Sequence, residues 1–270
     1  MNSKSLVPNS KPAKSIYQSI RISDETRRII KIRTGEDYIW DHELPDTLDL
    51  SHTDIVDVSA LGNVKNLNLS YCINVVDVSM LGNVQSIDLS FCYKITDVSM
   101  LGDVQRLNLS NCRGITDVSM LGNVKYLVLD GCVEIADVSM LGNVQELYIE
   151  CCPRVKDVSM LGNVRKLYME GVLIKEISAL KTVQELYIKQ CHEITDVSML
   201  GNVKKLSIDY CDGIMDISAL KTVQELYLNR RRIYKEEFII ENCIWTLYRW
   251  LYLFLNCAIS FYRWLRSSFA

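Results

Sequence analysis

The chain has 270 residues, of which 49% are apolar and 23% charged, with a formal net charge of −3 at pH 7. That balance excludes a wholly disordered chain and gives no global attraction to nucleic acid. Ten cysteines in a chain of this length, with no apolar leader near Met1, read as reduced thiols of an intracellular, cytoplasmic protein, not as a disulfide framework.

The first 35 residues carry Lys4, Lys11, Lys14, Arg21, Arg27, Arg28, Lys31 and Arg33 against only Asp24 and Glu25. With Pro8, Pro12 and several serines, residues 1–20 are expected to be a flexible basic tail and residues 21–46 an N-terminal cap. From there to about residue 235 the chain repeats itself. The phrase Leu-Gly-Asn-Val or a close variant starts at Leu61, Leu81, Leu101, Leu121, Leu141, Leu161, Leu180, Leu200 and Leu220, a 20-residue step with one 19-residue step. The unit is V-x-x-L-x-L-x-x-C-x-x-I-x-D-V-S-x-L-G-N. Its L-x-L segments predict strands, because alternation puts both leucines on one face. Ten can be placed, from Leu48–Leu50 to Leu226–Leu228.

This pattern resembles the leucine-rich-repeat family, whose signature is L-x-x-L-x-L-x-x-N/C-x-L. The resemblance covers about residues 45–235. LDLSHTDIVDVSAL (48–61) and LYMEGVLIKEISAL (167–180) resemble internalin-like repeats. The Cys-x-x-Ile-Thr-Asp units resemble the cysteine-containing repeats of F-box substrate adaptors, and similar arrays occur in large DNA viruses of amoebae. The resemblance implies an α/β repeat solenoid, a horseshoe or arc of about ten repeats with a parallel sheet on its concave face, used for protein binding. The physics agrees: one repeat cannot bury its own leucines, whereas stacked repeats share a core. Strands about 4.8 Å apart would make a sheet roughly 45 Å long.

The residues that could do chemistry read mostly as scaffold. Cys72, Cys92, Cys112, Cys132, Cys152, Cys191 and Cys211 share one repeat position, with Thr53, Val172 and Arg231 in the equivalent place; Thr and Val mark a small buried site and not a metal ladder, and Arg231 marks the end of the array. Cys151 stands beside them, on the expected surface. The aspartates Asp57, Asp77, Asp97, Asp117, Asp137, Asp157, Asp196 and Asp216 offer one carboxylate per turn, too few for calcium, and suit turn capping. The glycine that follows each turn is expected to leave it at positive φ, so Lys181 and Lys221, which replace it, predict two turns of different conformation. His42, His52 and His192 bear no fixed relation to a nucleophile. No enzyme, cofactor, metal or small-molecule substrate is expected.

Binding is expected where the repeats differ. The residues between the two core positions of each strand are Asp49, Asn68, Asp88, Asn108, Val128, Tyr148, Tyr168, Tyr187, Ser207 and Tyr227. Tyrosine is favoured at interfaces, so Tyr148, Tyr168, Tyr187 and Tyr227, with Glu150 and Glu170 close by, form the candidate partner-binding site. Stacking along the sheet is the competing role for the same rings. One position earlier, Glu146, Lys166, Glu185, Lys205 and Glu225 alternate in sign and predict a surface salt-bridge ladder worth ~0.2–1 kcal/mol per pair.

Residues 236–270 differ in kind, aromatic and apolar without Gly or Pro, with Tyr-Arg-Trp-Leu at 248–251 and again at 262–265. They predict a hydrophobic helix. Its longest charge-free run, Trp250 to Tyr262, falls short of the ~20 residues of a simple membrane span. Trp245, Arg249, Trp250, Arg263 and Trp264 suit a helix lying in a membrane interface, and packing over the open end of the solenoid is the alternative. The expected function is a non-enzymatic protein-interaction module, with a protein partner and a membrane surface as the two contacts. The second reading is a substrate-recognition adaptor of a ubiquitin ligase.

Overall fold

The computed structural model describes residues 19–234. The helix expected over 236–270 lies outside them.

Helix α1 (Asp24–Thr34) opens the described chain. Its ends follow from sequence: the Ser23 side chain accepts the Thr26 amide, Asp24 and Glu25 sit at the positive end of the dipole, and Lys31 and Arg33 sit at the negative end. Gly35, at φ 80°, terminates it. Ile29 and Ile30 are buried and join one end of the continuous core, and the Thr26 hydroxyl donates to the Asp57 carbonyl at 2.6 Å.

Eleven strands then form one sheet in chain order: β1 (Thr47–Asp49), β2 (Asn66–Asn68), β3 (Ser86–Asp88), β4 (Arg106–Asn108), β5 (Tyr126–Val128), β6 (Glu146–Glu150), β7 (Lys166–Glu170), β8 (Glu185–Lys189), β9 (Lys205–Asp209), β10 (Glu225–Leu228) and β11 (Arg231–Ile233). The first ten are parallel, and their register pairs leucine with leucine or isoleucine, as in Leu48 with Leu67 and Ile87 with Leu107. β11 runs antiparallel to β10 and has no counterpart in the repeat pattern. Asn229 and Arg230, at φ 48° and 67°, turn the chain back in two residues, the geometry that joins antiparallel strands most tightly.

Each coil contributes the same buried set. In the coil that begins at β4, these are Leu107, Leu109, Cys112, Ile115, Val118, Leu121 and Val124. No coil encloses its set alone; the core runs unbroken from Ile22 to Ile233. The cysteines fill this core and give their weak S–H donors to carbonyls of the preceding coil, Cys112 to Leu89 and Cys132 to Leu109, both at 3.0 Å. Burial pushes the Cys92, Cys112, Cys152 and Cys211 thiols up to about 12, so these sulfurs stay protonated.

A short 3₁₀ turn returns each coil to the next strand. Asp117 Oδ1 accepts the Ser119 amide at 2.8 Å, and Asp77, Asp97, Asp137, Asp157, Asp196 and Asp216 do the same for the serine two residues on. Glu176 reaches the Ser178 amide with its longer arm. The expected positive φ of the following glycine is wrong: Gly62, Gly82 and Gly102 are right-handed, at φ −62°, −61° and −60°. Glycine is needed there for close approach. A Cβ on Gly62 would lie 2.3 Å from the Met80 carbonyl oxygen of the next coil, and on Gly142 2.4 Å from that of Met160. The turns carrying Lys181 and Lys221 also keep the common 3₁₀ form, over Ser178–Thr182 and Ser218–Thr222, contrary to expectation. There Thr182 and Thr222 donate to the carbonyls of Gly162 and Gly201 in the preceding coil.

The left-handed residue lies elsewhere, just before the buried cysteine. His52, Tyr71, Phe91, Asn111, Gly131, Cys151, Gly171, Gln190 and Tyr210 all have φ between 52° and 69°. Their amides continue the ladder between coils, as in Tyr71 N–H to Ser90 O at 2.8 Å.

Candidate functional site

The central residues of the strands point away from the core and divide the solvent face of the sheet in two. Over β1–β4 they are short and polar. Asp49, Asn68, Asp88 and Asn108 each accept the amide of the serine two residues on at 2.8–3.0 Å, which ends the strand. Asn108 also donates to Asp88 at 3.1 Å and accepts from the Ser110 hydroxyl, so its side chain is committed to the scaffold. The space left above these residues is a cavity of about 460 Å³, walled at one end by Arg106 and Tyr126.

Over β6–β8 the same positions carry rings. The register sets Tyr148 beside Tyr168 and Tyr168 beside Tyr187, with centroids 4.2 Å apart and planes within 4° and 6° of parallel. Tyr126 continues the row at 5.2 Å from Tyr148, and the Arg106 guanidinium lies 4.2 Å from the Tyr126 centroid. At the other end Ser207 leaves a gap. The Lys205 ammonium fills it, 5.6 Å from the Tyr187 ring and 5.5 Å from that of Tyr227. The row is thus Arg106, four tyrosines, Lys205 and Tyr227, with cations against ring faces where stacking stops. Tyr227 is joined to it through Lys205 and not through Tyr187. Burial, followed by the neighbouring Tyr187 hydroxyl, pushes the Tyr168 phenol up to about 12, and burial likewise raises Tyr148 and Tyr187.

Beside the rings the charges pair in sequence. Lys166 lies 3.9 Å from Glu146 and 3.5 Å from Glu185, the ladder that the alternation predicted, whereas Lys205 serves the rings. Glu150 and Glu170 are opposite one another in the register of β6 and β7, and Lys189 binds Glu170 at 2.7 Å. Asp130 stands behind them, accepting the Glu150 amide at 3.2 Å. Burial first, and then the Glu150 charge, pushes the Asp130 carboxyl up to about 7, and Glu150 is raised by the same two causes, with Glu170 as its charged neighbour. Glu150 and Glu170 against the single Lys189 leave the flank of the row beside Tyr148 and Tyr168 acidic.

A second aromatic row escaped the sequence reading. His52, Tyr71 and Phe91, all left-handed, stack at 4.4 and 4.2 Å at the end of the strands. Farther along the same row Cys151 is exposed, in contrast to the buried Cys152 next to it. Trp245, Arg249, Trp250, Arg263 and Trp264 lie outside the described residues. Among the described residues, no helix is long and apolar enough to cross a membrane.

No family model and no curated protein matches the chain. Among solved structures, internalin C2 of Listeria monocytogenes superposes with a TM-score of 0.50 at 22% identity, over 80% of this chain and 100% of that one. An internalin, inlF, of the same organism matches with a TM-score of 0.49 at 20% identity, over 76% of this chain and 80% of that one. With identity this low the likeness speaks to fold alone. The 20-residue coil of strand, left-handed residue, buried cysteine and 3₁₀ turn, together with the match to internalin C2, makes residues 47–228 a leucine-rich-repeat solenoid.

Proposed function

We propose that the chain is a non-enzymatic protein-binding module that holds its partner on the solvent face of the sheet, across Tyr148, Tyr168, Tyr187 and Tyr227 with Glu150 and Glu170. The carrying observation is the stack itself. Rings held 4.2 Å apart and bracketed by Arg106 and Lys205 have little side-chain freedom left to lose on binding. Because the ring faces are covered, the row offers edges and hydroxyls, a line of hydrogen-bonding groups on an apolar base. The acidic flank, Glu150 and Glu170 against Lys189, favours a basic partner segment. A pull-down with the Tyr148→Ala, Tyr168→Ala, Tyr187→Ala triple variant tests this. Loss of the partners captured by the unaltered chain supports it, and capture of the same set by a folded variant ends it.

The aromatic, arginine-punctuated sequence of residues 236–270 supports a second contact, with a membrane surface. Cell fractionation with and without those residues tests it; a full-length chain found wholly in the soluble fraction removes it. The ubiquitin-ligase adaptor reading gains no support from the described residues.

A further inference from the structure

The flank of the solenoid carries a feature that neither the core nor the tyrosine row requires. The residue after the serine of the 3₁₀ turn is methionine in five consecutive coils, and there it faces outward, whereas the alanine at the same place in the first coil, Ala60, is buried. Met80, Met100, Met120, Met140 and Met160 are 49%, 59%, 60%, 61% and 61% exposed. The position does not need methionine to fold, since Ala60, Ala179 and Ala219 occupy it in other coils. A contiguous run of exposed large apolar side chains marks an interaction surface, and unbranched, polarisable thioethers can mould themselves to a partner.

Beside the methionines run Asp77, Asp97, Asp117, Asp137 and Asp157. Each uses Oδ1 to hold the turn, and Asp77, Asp117 and Asp157 each feel the charge of a neighbouring aspartate of the row. Acid and thioether line the same crevices. Asp97, Asp117 and Met120 border one of about 220 Å³, Asp117, Asp137 and Met140 one of about 250 Å³, and Asp137, Asp157 and Met160 one of about 370 Å³. At the position before each aspartate stand Val76, Thr96, Thr116, Ala136 and Lys156, so the row carries five carboxylates and one lysine.

We infer that this flank is a second docking surface, separate from the tyrosine row, and that its occupant is a basic amphipathic α-helix of a partner protein. The chemistry and the spacing agree. Successive coils repeat about every 5 Å, close to the ~5.4 Å pitch of an α-helix, so a helix laid along the flank sets about one turn on each coil. Five coils span roughly 20 Å, or about 13–14 helical residues. The apolar stripe of such a helix meets the methionines, and its lysines or arginines meet the aspartate row. A second copy of the chain would bring aspartate against aspartate, and an anionic lipid surface would face the same repulsion.

The test uses the full chain and a fluorescein-labelled 14-residue peptide of leucine and lysine, arranged to give one apolar and one cationic helical face. The same composition in scrambled order is the control. Anisotropy is expected to show saturable binding that weakens as salt rises. Combined Met100→Gln, Met120→Gln, Met140→Gln and Met160→Gln replacement, with an unchanged circular dichroism spectrum, is expected to weaken it at least ten-fold; should that variant fold poorly, Met120→Gln with Met140→Gln is expected to weaken it measurably. The Tyr148→Ala, Tyr168→Ala, Tyr187→Ala variant is expected to bind as the unaltered chain does. No saturable binding, equal affinity for the scrambled peptide, full affinity in folded glutamine variants, or displacement by phosphatidylserine-containing vesicles would each overturn the inference. Loss of binding in the tyrosine variant alone would move the peptide to the sheet face.

Discussion

The carbonyl oxygen of Met140 lies 2.5 Å from the point that a Cβ on Gly122 would occupy. The obstacle is backbone, which cannot swing aside as a side chain would. Gly122→Ala is therefore expected to force two coils apart and cost about 1–3 kcal/mol, as overpacking does. A urea titration followed by circular dichroism measures this. A midpoint equal to that of the unaltered chain would mean that the coils separate without cost.

Tyr168 is the middle ring of the stack, with a parallel neighbour on each side. Each such ring pair is worth ~0.5–1.5 kcal/mol beyond its area. Tyr168→Ala is expected to cost about 1–3 kcal/mol, whereas Tyr227→Ala, whose ring lies against the Lys205 ammonium and not in the stack, should cost well under half as much. Comparison of the two unfolding midpoints decides whether the stack or the mere presence of tyrosine stabilises the sheet.

Asp130 holds its proton more tightly in the folded chain, where its carboxyl titrates near 7, than at the ordinary value of 3.8. Its contribution is therefore complete below about pH 4 and is lost as pH rises toward 7. Asp130→Asn keeps an acceptor for the Glu150 amide and removes the charge. It is expected to raise the melting temperature at pH 8 and leave it nearly unchanged at pH 4. An equal shift at both would point to packing instead of protonation.

The turn carboxylates act in the opposite sense. Hydrogen bonds from the amide and then the hydroxyl of Ser119 lower Asp117, and its counterparts in other coils are lowered in the same way. Their contribution is present above the ordinary carboxylate range and is lost as pH falls through the depressed folded values. Acid unfolding below about pH 4 should be shallower in Asp117→Asn, whose side chain keeps the acceptor without titrating. A melt series from pH 2 to 5 measures it.

Thiol labelling distinguishes the cysteines. Cys151 is exposed, while Cys112, Cys132 and Cys152 are buried within the core. Treatment of the native protein with a charged thiol reagent, followed by peptide mapping, is expected to modify Cys151 and spare those three until denaturant is added. Modification of Cys112 at the rate of Cys151 would show that the coils open readily.

The ten parallel strands were legible because L-x-L alternation and burial of both leucines are the same fact seen twice. β11 was not, since Arg231 aligns with the cysteine position of the last repeat, where the other coils have no strand, and Arg231–Ile233 pairs because Asn229 and Arg230 turn the chain back. The glycines misled for a physical reason: positive φ and close approach both demand glycine, and only the neighbouring coil shows which applies. The left-handed row did leave a trace, in Gly131, Gly171 and Asn111, but aromatic residues at the same position concealed it. At the candidate site the tyrosines could be read off the chain. That Lys205 leaves the charge ladder to fill the gap at Ser207 could not, because it depends on two strands at once.

That lysine has a consequence for recognition. A row of identical rungs gives a ligand several equivalent footholds, so a bound partner could shift by one coil with little loss. Lys205 between Tyr187 and Tyr227 breaks the equivalence at one place, as Arg106 against Tyr126 does at the other. If the row binds a partner as proposed, these two cations are the landmarks that would give a repetitive surface a single address.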